Sequence, residues 1–490
     1  MSAIRLCTFF IVIVATLLSG SPSYAGGPTM TSFGARRNGS LANLAFLDDG
    51  EALFFNPAGL ARYNRLQVHI SLGAALIKNK MELKALDANR FPAINPKGCG
   101  EAGKDPCPWP IAPDGYYEQE ITPERVFGVL PAIALSWALD PKLPDIERIV
   151  LGFGIHTPNL YGAFLPKDAP SAYFVTDGYF IVVAATLGMG VRFNEHLSIG
   201  VSLAYNYMAL AMGRKLSIPD VLTGPGEDVS SLGHTGYALL GDLMLDYTGT
   251  DHGLGWTLGV MIDPTSWMTI GAAYNGSTAA RFRGPVSFTS VGAMVDDPQF
   301  LAAALSDFGY KMPTDLEVEM TLPHSLQFGI GLKPAPWIDI AIDCRLWFYN
   351  FHDTQRLSPV YDPDQPGDEP LTAENLSRDK GYHMSYQVGV GVMVRPLTSL
   401  PGLELMTGFA YDLAPAPEET LTLDSPALAQ YRLAAGVRYA INDSWNIAAT
   451  YTINLYQDLN ITTSETSPPT NLRGTSYSHF PMLQLHYRHN

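Results

Sequence analysis

Leu66-Gln67-Val68-His69-Ile70-Ser71-Leu72 alternates apolar and polar or small side chains without a fault. A period of two projects one row of side chains to each face of an extended strand. The pattern recurs outward from this stretch. Leu197, Ile199, Val201, Leu203, Tyr205 and Tyr207 share one face, opposite Ser198, Gly200, Ser202, Ala204 and Asn206. Trp445, Ile447, Ala449, Tyr451, Ile453 and Leu455 repeat it. From Ile338 to Phe348 the apolar row is Ile338, Ile340, Ile342, Cys344, Leu346 and Phe348, while Asp339, Asp343 and Arg345 occupy the other row. Charge therefore sits on one face only.

Fourteen such segments begin near residues 66, 127, 148, 179, 197, 243, 268, 317, 337, 383, 403, 428, 445 and 477. Short turns at 140–145, 194–196, 263–266, 333–336, 396–402 and 442–444 alternate with long connections at 78–126, 158–178, 214–242, 284–316, 352–382, 414–427 and 460–476. A soluble sandwich also alternates in polarity, but has no reason to sort its loops by length. An even strand count with short turns at one rim and long loops at the other fits an all-β, 14-stranded antiparallel transmembrane β-barrel, with its long loops outside and both ends periplasmic. The segments run about 10 to 16 residues, beyond the usual five or six, and carry aromatic residues near their ends, such as Trp347 to Phe351, Tyr431 and Trp445.

Composition agrees. The chain has 490 residues, 47% hydrophobic and only 16% charged, below the roughly 25% of ordinary soluble domains. Asp and Glu outnumber Lys and Arg 47 to 31, and no basic block offers a surface for phosphates, so nucleic acid is not an expected partner. Arg5, the apolar run from Leu6 to Leu18 and Ser23-Tyr24-Ala25 read as an export leader spanning 1–25 and cleaved after Ala25. The competing reading, an uncleaved anchor, needs roughly 20 apolar residues. No later stretch is apolar for long enough to make a spanning helix.

Residues 26–64 precede the first strand and are Gly-rich and polar, with one short apolar run. Two readings stand: a stopper inside the bore, or a periplasmic tail. Here Asp48-Asp49-Gly50-Glu51-Ala52-Leu53-Phe54-Phe55-Asn56-Pro57-Ala58-Gly59-Leu60-Ala61 resembles the hatch signature of FadL-like outer-membrane transporters of long-chain fatty acids and aromatic hydrocarbons, whose core is Asn56, Pro57 and Ala58. Support comes, in order, from Gly255 to Val260, from Leu322-Pro323 opening the eighth strand, and from Gly408-Phe409-Ala410-Tyr411-Asp412 followed by Pro415 and Pro417. The resemblance covers the whole chain after the leader. It implies an N-terminal hatch over 26–64, a barrel over 65–490, and passive uptake of hydrophobic molecules into a Gram-negative cell. The implied route has a loop capture groove, a pocket beside the hatch and a lateral opening at a kink in the third strand. Such a route answers a physical need, since a water-filled pore offers long apolar molecules no favourable contact.

Phe300, Leu301, Leu305 and Phe308 share one helical face in a long loop, and are candidates either for the capture groove or for packing between loops. By resemblance, Met30 and Phe33 near the mature N-terminus reach the pocket. Gly152 and Gly154 interrupt the third strand, as at a bulge that serves as a gate, or as the floor for a close neighbour. Arg345, Arg432 and Arg438 are lumen-facing candidates for a ligand carboxylate, or members of ion-pair ladders. Cys99 and Cys107 flank a Gly/Pro-rich turn and are expected to form a disulfide in an oxidising exterior.

No Gly-x-Ser-x-Gly, His-Glu-x-x-His or phosphate-cradling motif occurs, so neither catalysis, metal nor cofactor is expected. A lipid hydrolase and an adhesive or structural barrel are the alternatives. The chain is read as a monomer whose partners are hydrophobic small molecules, outer-membrane lipid and lipopolysaccharide, and the barrel assembly machinery. It ends Tyr487-Arg488-His489-Asn490 rather than on an aromatic residue.

Overall fold

The alternating segments pair edge to edge in chain order. In the computed structural model, which describes residues 34–490 apart from 48, 89, 92–93, 95–106, 124–126, 140–142, 144, 218–241, 292–309, 352–353, 365–368, 371–377, 396–398, 424–426 and 490, fourteen strands make one wall. They are β1 (Gln67–Leu83), β2 (Phe127–Leu139), β3 (Arg148–Phe164), β4 (Asp177–Asn194), β5 (Leu197–Leu216) and β6 (Asp242–Thr265). Three strands are interrupted: β7 (Met268–Asn275, then Thr278–Val291), β8 (Asp315–Leu322, then Ser325–Ala335) and β9 (Ile338–Trp347, then Thr354–Val360). The rest are β10 (Ser385–Val394), β11 (Leu403–Asp412), β12 (Gln430–Ala440), β13 (Trp445–Tyr456) and β14 (Leu472–Arg488). Every neighbouring pair is antiparallel, and β1 closes the cylinder on β14 from Gln67 opposite Arg488 to Leu83 opposite Leu472. Closure leaves the wall no free edge, as a sheet immersed in lipid requires.

Burial is inverted relative to a soluble protein. The polar row Gln67, His69 and Ser71 of β1 is buried, whereas Ile70 and Leu72 are 42% and 52% exposed. Asp339, Asp343 and Arg345 of β9 are likewise buried, and Leu187 and Leu203 of β4 and β5 face outward. Exposed Trp137, Trp267, Trp337 and Trp445 mark the short-turn rim, and Tyr205, Tyr207, Phe351, Tyr431 and Tyr451 mark the other. These are the two levels at which amphipathic rings sit best in a bilayer. No helix among the described residues is long and apolar enough to cross a membrane.

Two expectations need correction. Strands β5 to β9 continue well past the outer aromatic level, with β6 reaching 24 residues, because they keep pairing with one another outside: Asp242 lies opposite Val291. There they close over an apolar cluster that includes Phe180, Met208, Leu245, Phe282 and Val318. Leu322-Pro323 does not open β8 but interrupts it midway, since proline cannot donate to the ladder.

The chain ahead of β1 lies within the cylinder. Helix α1 (Ala35–Ser40) packs on β11, β12 and β13, a 3-10 turn at Leu44–Phe46 on β7 and β8, helix α2 (Ala52–Phe55) on β3 and β4, and a 3-10 turn at Pro57–Arg62 on β4, β5 and β6. The segment therefore crosses from one side of the bore to the other.

Candidate functional site

Asn56, Pro57 and Ala58 form the start of the last 3-10 turn, where the Asn56 side-chain oxygen accepts from Ala58 N (3.3 Å) and its amide nitrogen donates to the Val260 carbonyl (3.2 Å). The wall admits this turn only where it lacks side chains. A Cβ at Gly200 would fall 2.2 Å from the Pro57 carbonyl carbon, and one at Gly259 2.1 Å from Asn56 Oδ1. The tripeptide is thus a docking element against glycine-lined wall.

Two carboxylates hold the rest of the segment. Asp343 of β9 pairs with the buried Arg37 guanidinium and accepts from the backbone amides of Asn43 (2.9 Å) and Leu44 (3.0 Å). Glu51 lies wholly inside the segment and accepts from the amides of Arg36 (3.1 Å) and Arg37 (3.2 Å) and from the Asn43 side chain (3.2 Å). Burial, reinforced by neighbouring Asp49, pushes the Glu51 carboxyl up to about 8. Gly34 approaches this carboxyl with φ of 88°, a conformation and a proximity that a side chain would forbid.

Against the outer side of this segment lies a cavity of about 140 Å³. Leu53, Phe54 and Phe55 of α2 form one wall, and His156 and Pro158 of β3 the next, with the Phe54 and His156 rings 4.1 Å apart. Trp256, Gly276 and Pro323 close the opposite side, and Arg345 and Trp347 of β9 end it. That end is polar. Thr257 donates to Asn275 (2.9 Å), Asn275 to Ser325 (3.1 Å), and Arg345 Nε and Nη2 to the same Ser325 hydroxyl (3.4 Å), with the guanidinium 4.8 Å from the Trp347 ring centre. Trp347 Nε1 is buried without a partner among the described residues.

The three candidate arginines separate. Arg432 is held by Asn454 (3.0 Å) and Asp412 (3.8 Å), and Arg438 by Glu404 (3.4 Å), which Arg395 also binds (2.9 Å). Only Arg345 lines the cavity, and among the described residues no carboxylate lies within ion-pair distance of it. Gly152 and Gly154 sit in unbroken ladder opposite Ser136 and Ala134, where Cβ atoms would meet Leu53, Leu60 and Phe54 of the inner segment. The irregularity in β3 comes after them. Its ladder with β2 ends at His156, and its ladder with β4 shifts register between His156 and Asn159, across Thr157-Pro158. Met30, Phe33, Phe300, Leu301, Leu305, Phe308 and Cys99 lie outside the described residues. Cys107 is described, and Cys344 is a free thiol on the outer row of β9.

Sequence reading missed Trp347 and Pro158. Trp347 reads as a rim aromatic from its place near the end of the apolar run, but it shares its row with Asp343 and Arg345, and alternation alone places it inside. Pro158 needed only the rule that proline interrupts a ladder.

The sequence model of the outer membrane protein transport family described as OMPP1/FadL/TodX matches residues 23–490. This chain belongs to that family. OMPP1/FadL/TodX proteins are outer-membrane channels for hydrophobic compounds. Among solved structures, a FadL homologue from Pseudomonas aeruginosa superposes with a TM-score of 0.75 at 14% identity, covering 94% of this chain and 99% of that one. The toluene transporter TodX of Pseudomonas putida gives 0.61 at 15% identity, covering 94% and 98%, and the CymD monoaromatic hydrocarbon channel 0.59 at 15%, covering 95% and 98%. At these identities the likeness is one of fold. No curated protein matches the chain.

Proposed function

We propose that the chain is a passive uptake channel of the outer membrane, exported after cleavage behind Ala25, in which residues 26–64 act as a hatch and the cavity beside Leu53–Phe55 receives the solute. Cargo leaves sideways where β3 departs from β2 at Thr157-Pro158, so that an apolar molecule passes from cavity to bilayer without crossing water. The observation that carries this reading is the cavity itself. One end is apolar, one side reaches the lapse in β3, and the other end is a buried arginine without a carboxylate partner among the described residues. Such an arginine suits an amphipathic solute whose carboxylate replaces the missing counter-charge and whose chain lies against Leu53 and Phe54. The external loops carrying Phe300, Leu301, Leu305 and Phe308 fit a first capture surface. Met30 and Phe33, ahead of α1, fit contacts deeper in the pocket. The protein works as a monomer in lipid and lipopolysaccharide after insertion by the assembly machinery, and no part of the route needs a catalyst or a cofactor.

The test is Arg345→Gln in the full chain, with binding of oleate and of toluene measured by calorimetry in detergent. Loss of a charge-assisted bond is expected to weaken oleate by about 1.5–3 kcal/mol and leave toluene unchanged. Equal binding of oleate by both proteins would remove Arg345 from the site and leave a neutral hydrocarbon as the better cargo.

A further inference from the structure

The barrel wall lapses a second time, far from β3. Strand β6 pairs with β7 up to Thr257 opposite Asn275 and again from Thr250 opposite Arg283. Between those pairs residues 251–256 lie opposite 276–282 without ladder pairing. The interval is bridged instead by Gly276 N donating to the Trp256 carbonyl (2.9 Å), the Thr278 hydroxyl to the Leu254 carbonyl (3.4 Å) and Arg281 N to the Asp251 carboxylate (2.5 Å). The neighbouring seam lapses at the same level, where β8 breaks at Pro323-His324 between Leu322 opposite Thr278 and Ser325 opposite Asn275.

Three observations make this more than an irregular stretch of wall. First, the cavity reaches it, since Trp256, Gly276, Leu322 and Pro323 all line that side. Second, one bulky side chain covers its inner end. The Trp256 indole lies across Gly276 so closely that a Cβ there would fall 2.4 Å from ring carbon Cε2, while the residue remains 39% exposed on the outer face. Trp256 thus borders cavity and bilayer at once. Third, the closure is soft. The ring packs on Tyr274 (5.3 Å between centres), and swinging it aside breaks no backbone hydrogen bond.

We propose that this lapse between β6 and β7 is a second lateral portal, with the Trp256 indole as its shutter, passing uncharged apolar solutes between the cavity and the bilayer. The proposal rests on the channel reading above. Uncharged cargo is specified because Trp256 and Leu322 line the inner edge of the opening, while the charges of this stretch already hold partners at its outer end, Asp251 on the Arg281 amide (2.5 Å) and the Arg281 guanidinium on Glu317 (2.6 Å).

The test staples each opening separately in cells making the full chain, with labelled toluene as probe. A Cβ at Gly128 would lie 2.6 Å from Leu160 Cδ2 across the β2–β3 lapse, and one at Gly253 2.6 Å from Thr278 Cγ2 across the β6–β7 lapse, so each pair is placed as a cross-lapse cysteine pair whose oxidation is verified by gel shift before uptake is read. With G128C/L160C oxidised, toluene uptake should persist above that of cells lacking the protein. It should fall to that background when G253C/T278C is also oxidised, and return on reduction. Trp256→Ala in the G128C/L160C protein should raise the residual uptake roughly threefold. Residual uptake already at background, or insensitive both to the second staple and to Trp256→Ala, overturns the second portal while leaving the channel reading intact. Unstapled protein that takes up toluene no faster than cells lacking it overturns the channel reading instead.

Discussion

At the scale of single residues, the inner segment depends on a few charges kept dry. Asp343 is the clearest case, because Arg37 is buried with it and two backbone amides converge on the same carboxylate. Asp343→Ala removes the carboxylate shared by the buried Arg37 guanidinium and two backbone amides, a loss of about 3–5 kcal/mol in docking of the segment. Ion conductance of the protein in planar bilayers should rise accordingly. Glu51 adds a pH dependence. Its carboxyl is raised from 4.5 to about 8 inside the segment, so between those values the docked state holds a proton that the released state has lost. Docking is therefore fully favoured below about 4.5 and weakens as pH rises through about 8, the group being ionised in both states above that. Conductance should climb across this window in the native protein, and Glu51→Gln, which carries no titrating proton, should flatten the climb. Neither carboxylate was legible as an anchor. Their partners lie hundreds of positions away, or reach them only after the chain has folded back, as Arg36 and Asn43 do on Glu51.

Elements were far more legible than contacts. Alternation found the fourteen strands because lipid outside and polar groups inside act on every second residue, a local constraint written directly into the chain. What it missed was where regular pairing stops. Gly152 and Gly154 allow two readings, a bulge or a close neighbour; they stay in register and admit Leu53 and Phe54, while the shift falls at Thr157-Pro158. A glycine in a strand signals either a bulge or a close neighbour, and only the third dimension separates the two. Deleting Thr157 removes the extra residue from β3 and should let the ladder with β2 continue beyond His156. Uptake of labelled oleate into cells is then expected to fall several-fold with the protein still present in the membrane; uptake at the native rate would mean that the exit lies elsewhere.

For the molecule as a whole, wall and filling are separable. Closure of β1 on β14 uses main-chain pairing from Gln67 to Leu83, with the His489 amide donating to the Leu66 carbonyl (2.9 Å) just ahead of it. A chain lacking residues 26–62 should therefore still give a heat-modifiable barrel on gels, now with the steady open conductance of an unfilled bore. The filling was recognisable as one short motif, but its path across the bore was not, since it is fixed by glycines on strands that are remote in sequence.

The seam between β1 and β14 also dictates a history. Gln67 and Arg488 are neighbours in the finished wall and stand at opposite ends of the strand order, so closing the cylinder demands the most distant pairing in it, of the kind that forms slowly. The cork is the chain's own lead-in to its first stave, so it is moored to the wall at Gln67, and a cork that settled late would meet a vessel already shut.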